Sequence, residues 1–452
     1  MATLNMRLAC LALCVVPMMA VDYKAGIGRI VITPDKPIYM SGYASRNHPS
    51  EGVVHDLWAK ALAIEDAKGD RAVVVTTDLI GLPRSVTDIV AARVEKEYRI
   101  DRSRLVLSSS HTHTGPLIRH NLETMFELGP EDDRVVSEYT AALTEKLVGV
   151  VGAALKDLKP ANVSFGNGRA TFAMNRRQNA ERGVIIGENP AGPTDEDVPV
   201  LKVTGADGKL RAVLFGYACH NTTLNGDFYR ISGDYAGYAQ IAIEEANPGA
   251  TAMFMMLCGA DQNPHPRGTL ELAQQHGKAL STEVNRVLGG KLSRVHGQVK
   301  GAFQVVELGF APQSRDGFAA RLTDKNVHRV RHAKAMLRLY DEGNPIRRYP
   351  YPVQAIQFGK EFTLMALGGE VVVDYVLRIK REYGAKGIMV AGYSNDVMSY
   401  IPSLRVLKEG GYEADDSMIY YGLPGPYDEE IEDHVIGTVR QVMKRVGRPA
   451  VQ

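Results

Sequence analysis

The chain is poor in cysteine, has no surplus of charge and, beyond its N-terminus, carries no long apolar run; each shortage removes a class of protein. Of the four cysteines in 452 residues, Cys10 and Cys14 fall in the N-terminal apolar stretch, leaving Cys219 and Cys258 in the body. That excludes a disulfide-stapled scaffold, and the two are too far apart in sequence for a CxxC zinc knuckle, so buried free thiols are expected. After residue 20 nothing approaches the roughly 18 continuous apolar residues of a membrane helix. Lysine plus arginine number 53 against 52 acidic residues, a formal charge of +1, and no basic block is present to neutralise a run of phosphates, which excludes nucleic acid as a partner. There is no internal repeat, low-complexity segment or interdomain linker. What remains, 45% hydrophobic and 23% charged, is ordinary globular material able to bury a core.

What is present begins with an export signal. Arg7 precedes the apolar run Leu8 to Ala20, too short for a permanent anchor, and Ala20 is a small residue suited to cleavage. Residues 1–20 are therefore read as a signal peptide, residues 21–452 as a single domain, and the product as periplasmic or secreted. From Tyr23 the pattern is that of an α/β domain. Ile27 to Ile32 reads as a strand; Ala59–Glu65 and Ala72–Asp78 read as a hairpin; Pro83–Glu97 and Val136–Leu155 have apolar positions at helical spacing. Later strands are expected at Ala212–Ala218, Ala252–Leu257, Glu361–Leu367 and Gly387–Tyr393, a helix at Tyr235–Glu245, and outer helices in the basic stretch Ser314–Tyr351.

The organising stretch is Ser108-Ser109-Ser110-His111-Thr112-His113-Thr114-Gly115-Pro116. The apolar run Arg104–Leu107 fits a buried strand and Gly115-Pro116 ends it, so two histidines at i and i+2 stand at a strand end and point to one side. Alone, this pattern also admits a polar turn with two solvated imidazoles. Three further strand ends carry polar chemistry: Cys219-His220-Asn221, the Pro- and Gly-containing run Cys258–Pro266, predicted to be a rigid loop, and Gly368-Gly369-Glu370, with Ser394–Pro402 beyond. Two His, one Glu and a further oxygen ligand suit Zn2+ and hydrolase chemistry. At this level the ligands themselves stay open.

Ser110-His111-Thr112-His113-Thr114-Gly115-Pro116, Asn175-Arg176, Ala218-Cys219-His220, Gly369-Glu370 and Gly392-Tyr393-Ser394-Asn395, with Tyr400 and Tyr412, occur in this order. In them the chain resembles the neutral/alkaline, non-lysosomal ceramidases, zinc amidohydrolases that release a fatty acid and a sphingoid base from ceramide. The resemblance implies a mixed β-sheet core flanked by helices with a zinc site at the strand ends. It implies zinc ligands at His111, His220, Glu370 and Tyr400, with Arg176 and Tyr412 facing the scissile amide and His113 orienting groups or handling protons. It further implies a small-molecule or lipid N-acyl substrate, with zinc-activated water as nucleophile, transient contact with a membrane surface and no obligate protein partner. Two departures stand out. Gln262 occupies the place of the family's active-site serine, in a loop where Asp261 and Gln262 are expected to shape substrate contacts, and the chain ends soon after Tyr412, with no room for the family's C-terminal immunoglobulin-like domain. Those departures admit a hydrolase retuned to a non-lipid acylated substrate, such as an acylated sugar, and, from another class, a zinc-containing binding protein without turnover.

Overall fold

The computed structural model describes residues 22–451; the stretch read as an export signal lies outside them, with Cys10 and Cys14. Among these residues the larger sheet has nine strands. In spatial order they are Thr251–Met256, Leu210–Tyr217, Asp197–Gly205, Lys159–Arg169, Tyr23–Val31, Trp58–Asp66, Arg71–Thr77 and Leu105–Ser109, with Ser293–Val295 added to Lys159–Arg169. The pairs at its two ends are parallel and the others antiparallel, so the sheet is mixed. A second, four-stranded sheet runs Val299–Gly309, Arg348–Phe358, Phe362–Leu367, Ile388–Ala391.

Side-chain alternation makes this a four-layer molecule. In Phe362–Leu367, Leu364 and Ala366 join a core shared with Leu62, Val74 and Met253 of the larger sheet, while Met365 and Leu367 face Val376, Ile379, Val439 and Val442 of the helices Val373–Tyr383 and Ile431–Val446. The larger sheet does the same: Val73 and Val75 turn outward onto Val90 and Leu147 of the helices Arg84–Tyr98 and Pro130–Lys156. Period-two strands buried on both faces thus read as near-continuous apolar runs. Helices, sheet, sheet and helices stack in that order, so the predicted mixed β core flanked by helices is present as two sheets face to face.

The hairpin forms across residues 67–70, with Asp66 Oδ1 accepting from the backbone N–H groups of Lys68 and Asp70 at 2.8 and 3.0 Å. The helix predicted from Val136 begins at Pro130, because Pro at the first position and the acids Glu131, Asp132 and Asp133 start a helix without adding to its apolar stripe. Two expectations need correction. Arg348–Tyr351 in the basic stretch opens a strand rather than a helix, and Cys258–Pro266 is not wholly irregular: Gln262–Pro264 pairs with Ala173–Asn175, a short ladder that ends at its proline.

Candidate active site

The two sheets join where the polar strand ends meet. Isolated bridges link Ser108 to Ser394 and Leu257 to Ala391 at this seam. The side chain of Asn395 braces it, its Oδ1 accepting from the Leu107 N–H at 3.2 Å and its Nδ2 donating to Gln354 Oε1 at 2.7 Å. His111 does not lie on the strand, which ends at Ser109. Its φ of +61° puts it in the left-handed region, so a kink, and not strand alternation, brings the His111 and His113 rings to 4.7 Å at 85°. The kink is pinned by the Ser110 and His111 N–H groups, which donate to Thr77 O and Leu79 O, each at 2.8 Å. Tyr393 and Asn395 on the facing loop also have positive φ; such conformations persist where surrounding bonds over-determine them.

His220 follows the strand Leu210–Tyr217, and its N–H donates to Gln262 O at 2.9 Å. Glu370 arrives from the other sheet through Gly369, whose φ is +69° and where a Cβ would lie 2.7 Å from Ser399 O. Glu370–Val371 then pairs in parallel with Tyr400–Ile401, setting two of the predicted ligands side by side.

The tautomers of the imidazoles follow from their partners. His111 Nδ1 faces Ile80 O at 2.6 Å and His220 Nδ1 faces Gly259 O at 3.0 Å; a carbonyl can only accept, so both Nδ1 atoms carry the proton. Each Nε2 faces inward, toward Glu370 Oε2 at 3.0 and 3.1 Å. Burial, and then the nearby Arg176 charge, press His220 down to about 3, so it is neutral near pH 7. Burial opposes ionisation of Glu370, but His111 and His220 hold its carboxyl well below the usual carboxylate range. Two imidazole nitrogens and a carboxylate oxygen thus converge on one point, a donor set that fits a divalent cation. Ring nitrogens of His111, His113 and His220 lie within 4.8 Å of one another, which draws His113, expected to orient groups or move protons, into the same cluster. Its Nε2 is 3.1 Å from His111 Nε2, and its Nδ1 is buried without a partner. Burial and the flanking histidines hold it well below the usual imidazole range.

Tyr400 stands at the edge of the cluster, its hydroxyl 3.3 Å from His220 Nε2 and accepting from an Arg176 terminal nitrogen at 2.9 Å. Arg176, on the strand Ala173–Ala180, also donates through Nε to Glu413 Oε1 at 2.7 Å and through its other terminal nitrogen to Asn263 Oδ1 at 3.2 Å. Burial works against that charge, but Tyr400 and Glu413 keep the guanidinium well above its ordinary value. The Tyr412 ring sits 5.4 Å from that of Tyr400 and 5.8 Å from the Arg176 guanidinium.

Asp261 and Gln262 frame the site rather than line it. Asp261 accepts from the Val373 N–H at 2.8 Å and Asn175 Nδ2 at 3.2 Å, and burial pushes its carboxyl up to about 7. The Gln262 side chain donates to Ala218 O at 2.7 Å and accepts from the Asp195 N–H at 3.0 Å. Both are fully buried, and these bonds hold their side chains within the protein. Sequence reading passed over Glu413 and Tyr421. For Glu413 a signal existed: the adjacent Arg176 and Arg177 are both buried, and two buried guanidiniums require a carboxylate. Glu413 supplies it, taking Arg177 through Oε2 at 2.6 Å. Cys219 and Cys258 are free, buried, and raised by that burial well above the usual thiol range.

Comparison with known proteins points to one family. The sequence model "Neutral/alkaline non-lysosomal ceramidase, N-terminal" matches residues 23–290. The neutral ceramidase of Pseudomonas aeruginosa is 28% identical over 226 residues, 48% of this chain and 33% of that protein; that of Drosophila melanogaster is 27% identical over 246 residues, 51% of this chain and 33% of that one. The matched stretch thus spans about a third of the length of these relatives. The crystal structure of the Pseudomonas aeruginosa neutral ceramidase superposes with a TM-score of 0.73 at 20% identity, covering 96% of this chain and 76% of that one, which shows a shared fold. The family match takes in His111, His113, Arg176 and His220, and it extends over more than half of the sequence; the chain belongs to the neutral/alkaline non-lysosomal ceramidase family.

Proposed function

We propose that the protein is a zinc-dependent hydrolase of an N-acyl amide bond, ceramidase-like in its chemistry, with a lipid or small acyl compound as substrate. The observation that carries this reading is the convergence of the His111 and His220 Nε2 atoms and the Glu370 carboxylate on one point, with Tyr400 at its edge and Arg176 behind it. His111, His220, Glu370 and Tyr400 would hold the zinc, which when bound would supply Lewis acidity to activate water near neutral pH and polarise a carbonyl. The Arg176 guanidinium and the Tyr412 hydroxyl donate to the oxyanion that develops as water adds to the acyl carbon. His113, neutral and beside His111, takes a proton from the attacking water and delivers it to the departing nitrogen. The C–N bond breaks, the acyl group leaves as a carboxylic acid and the other product is an amine.

One observation favours a second substrate class. The place of the family's serine is filled by Gln262, whose amide is bonded at both ends within the protein, so no hydroxyl is offered there; a non-lipid acylated compound, such as an acylated sugar, fits that change. The N-terminal run Leu8–Ala20 supports export to the periplasm or medium, and among the described residues no helix is long and apolar enough to cross a membrane. The test is elemental analysis together with a panel of N-acyl lipids and acylated sugars. About one zinc per chain and turnover of at least one panel member are expected. Protein purified without zinc overturns the metal assignment, and a zinc protein that turns over no amide or ester is a binding module.

A further inference from the structure

We propose that Tyr421 is a positioning residue for Glu370, holding one carboxylate oxygen away from the imidazole pair so that a single oxygen faces it. The inference rests on the zinc reading above and deepens it. The two oxygens of Glu370 have separate partners. Oε2 lies 3.0 Å from His111 Nε2, 3.1 Å from His220 Nε2 and 3.3 Å from the Tyr393 hydroxyl. Oε1 accepts the hydroxyl of Tyr421 in a short hydrogen bond. A carboxylate with both oxygens free can close on a cation through the pair; one whose second oxygen accepts an O–H is turned and electronically committed, and such outer partners commonly shift metal affinity 10- to 100-fold.

Tyr421 reaches Glu370 from a separate part of the chain. It is the last residue of the short helix Met418–Tyr421, which Gly422 terminates at φ +67° and which is tied down by Thr124 Oγ1 donating to Ile419 O. Its ring meets that of Tyr400 at 6.5 Å and 76°. His111, His220 and Tyr393 are buried to 1% exposure or less, whereas Tyr421 is half-buried. Of the groups on Glu370 it is the one nearest the outside, next in sequence to Tyr420, whose ring contacts Tyr412 at 6.4 Å.

The experiment compares zinc-loaded wild type, Tyr421→Phe and, as control, Tyr420→Phe, whose parent side chain contacts the Tyr412 ring but not Glu370. Release of zinc to a chromogenic chelator should be about tenfold or more faster in Tyr421→Phe and unchanged in Tyr420→Phe. In the cobalt-substituted proteins the visible d–d band should weaken in Tyr421→Phe as Glu370 adds its second oxygen, a signature that a purely structural role would not move. A Tyr421→Phe protein with wild-type release and a wild-type cobalt spectrum overturns the inference and leaves the zinc reading standing. A wild type that takes up neither zinc nor cobalt overturns both.

Discussion

The amide of Gln262 bridges Ala218 O and the Asp195 N–H, and Asp195 in turn holds Lys380 at 2.7 and 2.8 Å. A serine is too short to span the same gap. Gln262→Ser should therefore lower stability by about 1–3 kcal/mol, because it leaves buried backbone groups unpaired, while hydrolysis of small amides stays within about tenfold; chemical denaturation and steady-state kinetics on one preparation separate the two effects. Tyr412 is the opposite case. Its hydroxyl is assigned to the transition state, not to the metal or the fold, so Tyr412→Phe should retain zinc and melting temperature yet lose about a hundredfold in kcat, roughly 2.7 kcal/mol, with KM nearly unchanged. An increase in KM alone would remove Tyr412 from catalysis. For His220, removal of a donor should abolish stoichiometric zinc; a full equivalent in His220→Ala would show the ligand assignment to be wrong.

Among elements, the turn that carries Gly42 acts on the site through His113. Gly42 has φ +99°, and a Cβ there would lie 2.5 Å from His113 Nδ1, while Arg46 donates from one terminal nitrogen to both Ser41 O and His113 O. Gly42→Ala must therefore displace the His113 ring or the turn. Activity should fall by about tenfold or more with little change in zinc content, a split that elemental analysis and kinetics on the same sample resolve. These elements also show how far the sequence could be read. The strands that deliver His111, His220 and Glu370 were legible because strands buried on both faces are short, apolar and bounded by turn residues. The strands Lys159–Arg169 and Ala173–Ala180 were not: the first has a half-exposed, Gly-containing pattern, and the second is polar, with its arginines turned inward to Glu413. The five-residue π-turn Tyr412–Asp416 has no apolar period at all. Its glutamate is fixed by tertiary pairing that no local pattern encodes, and Tyr421 owes its role to the same kind of long-range contact.

For the whole molecule, the buried cluster sets a pH limit. His220 is held at about 3 in the folded chain against an ordinary value of 6.5, and Glu370 and His113 are depressed as well. The native state thus binds fewer protons than the unfolded chain at acid pH, and its stability falls as pH drops below about 6.5 and onward through the folded values. For metal-stripped protein, His220 alone should remove about 2 kcal/mol between pH 6.5 and about pH 5. Urea midpoints measured at the two values check this, and an unchanged midpoint would mean that the imidazoles are not held neutral.

The seam between the sheets has a temporal side. His111, His113, Arg176 and His220 all lie within residues 23–290, whereas Glu370, Tyr400 and Tyr412 belong to the last third of the chain. A chain ordered only as far as residue 290 would hold the three imidazoles of the cluster without the carboxylate, and so only half of the donor set. The donor set is whole only once the late strands close onto the early ones, so the cluster is assembled by the last step of the fold and not by either half alone.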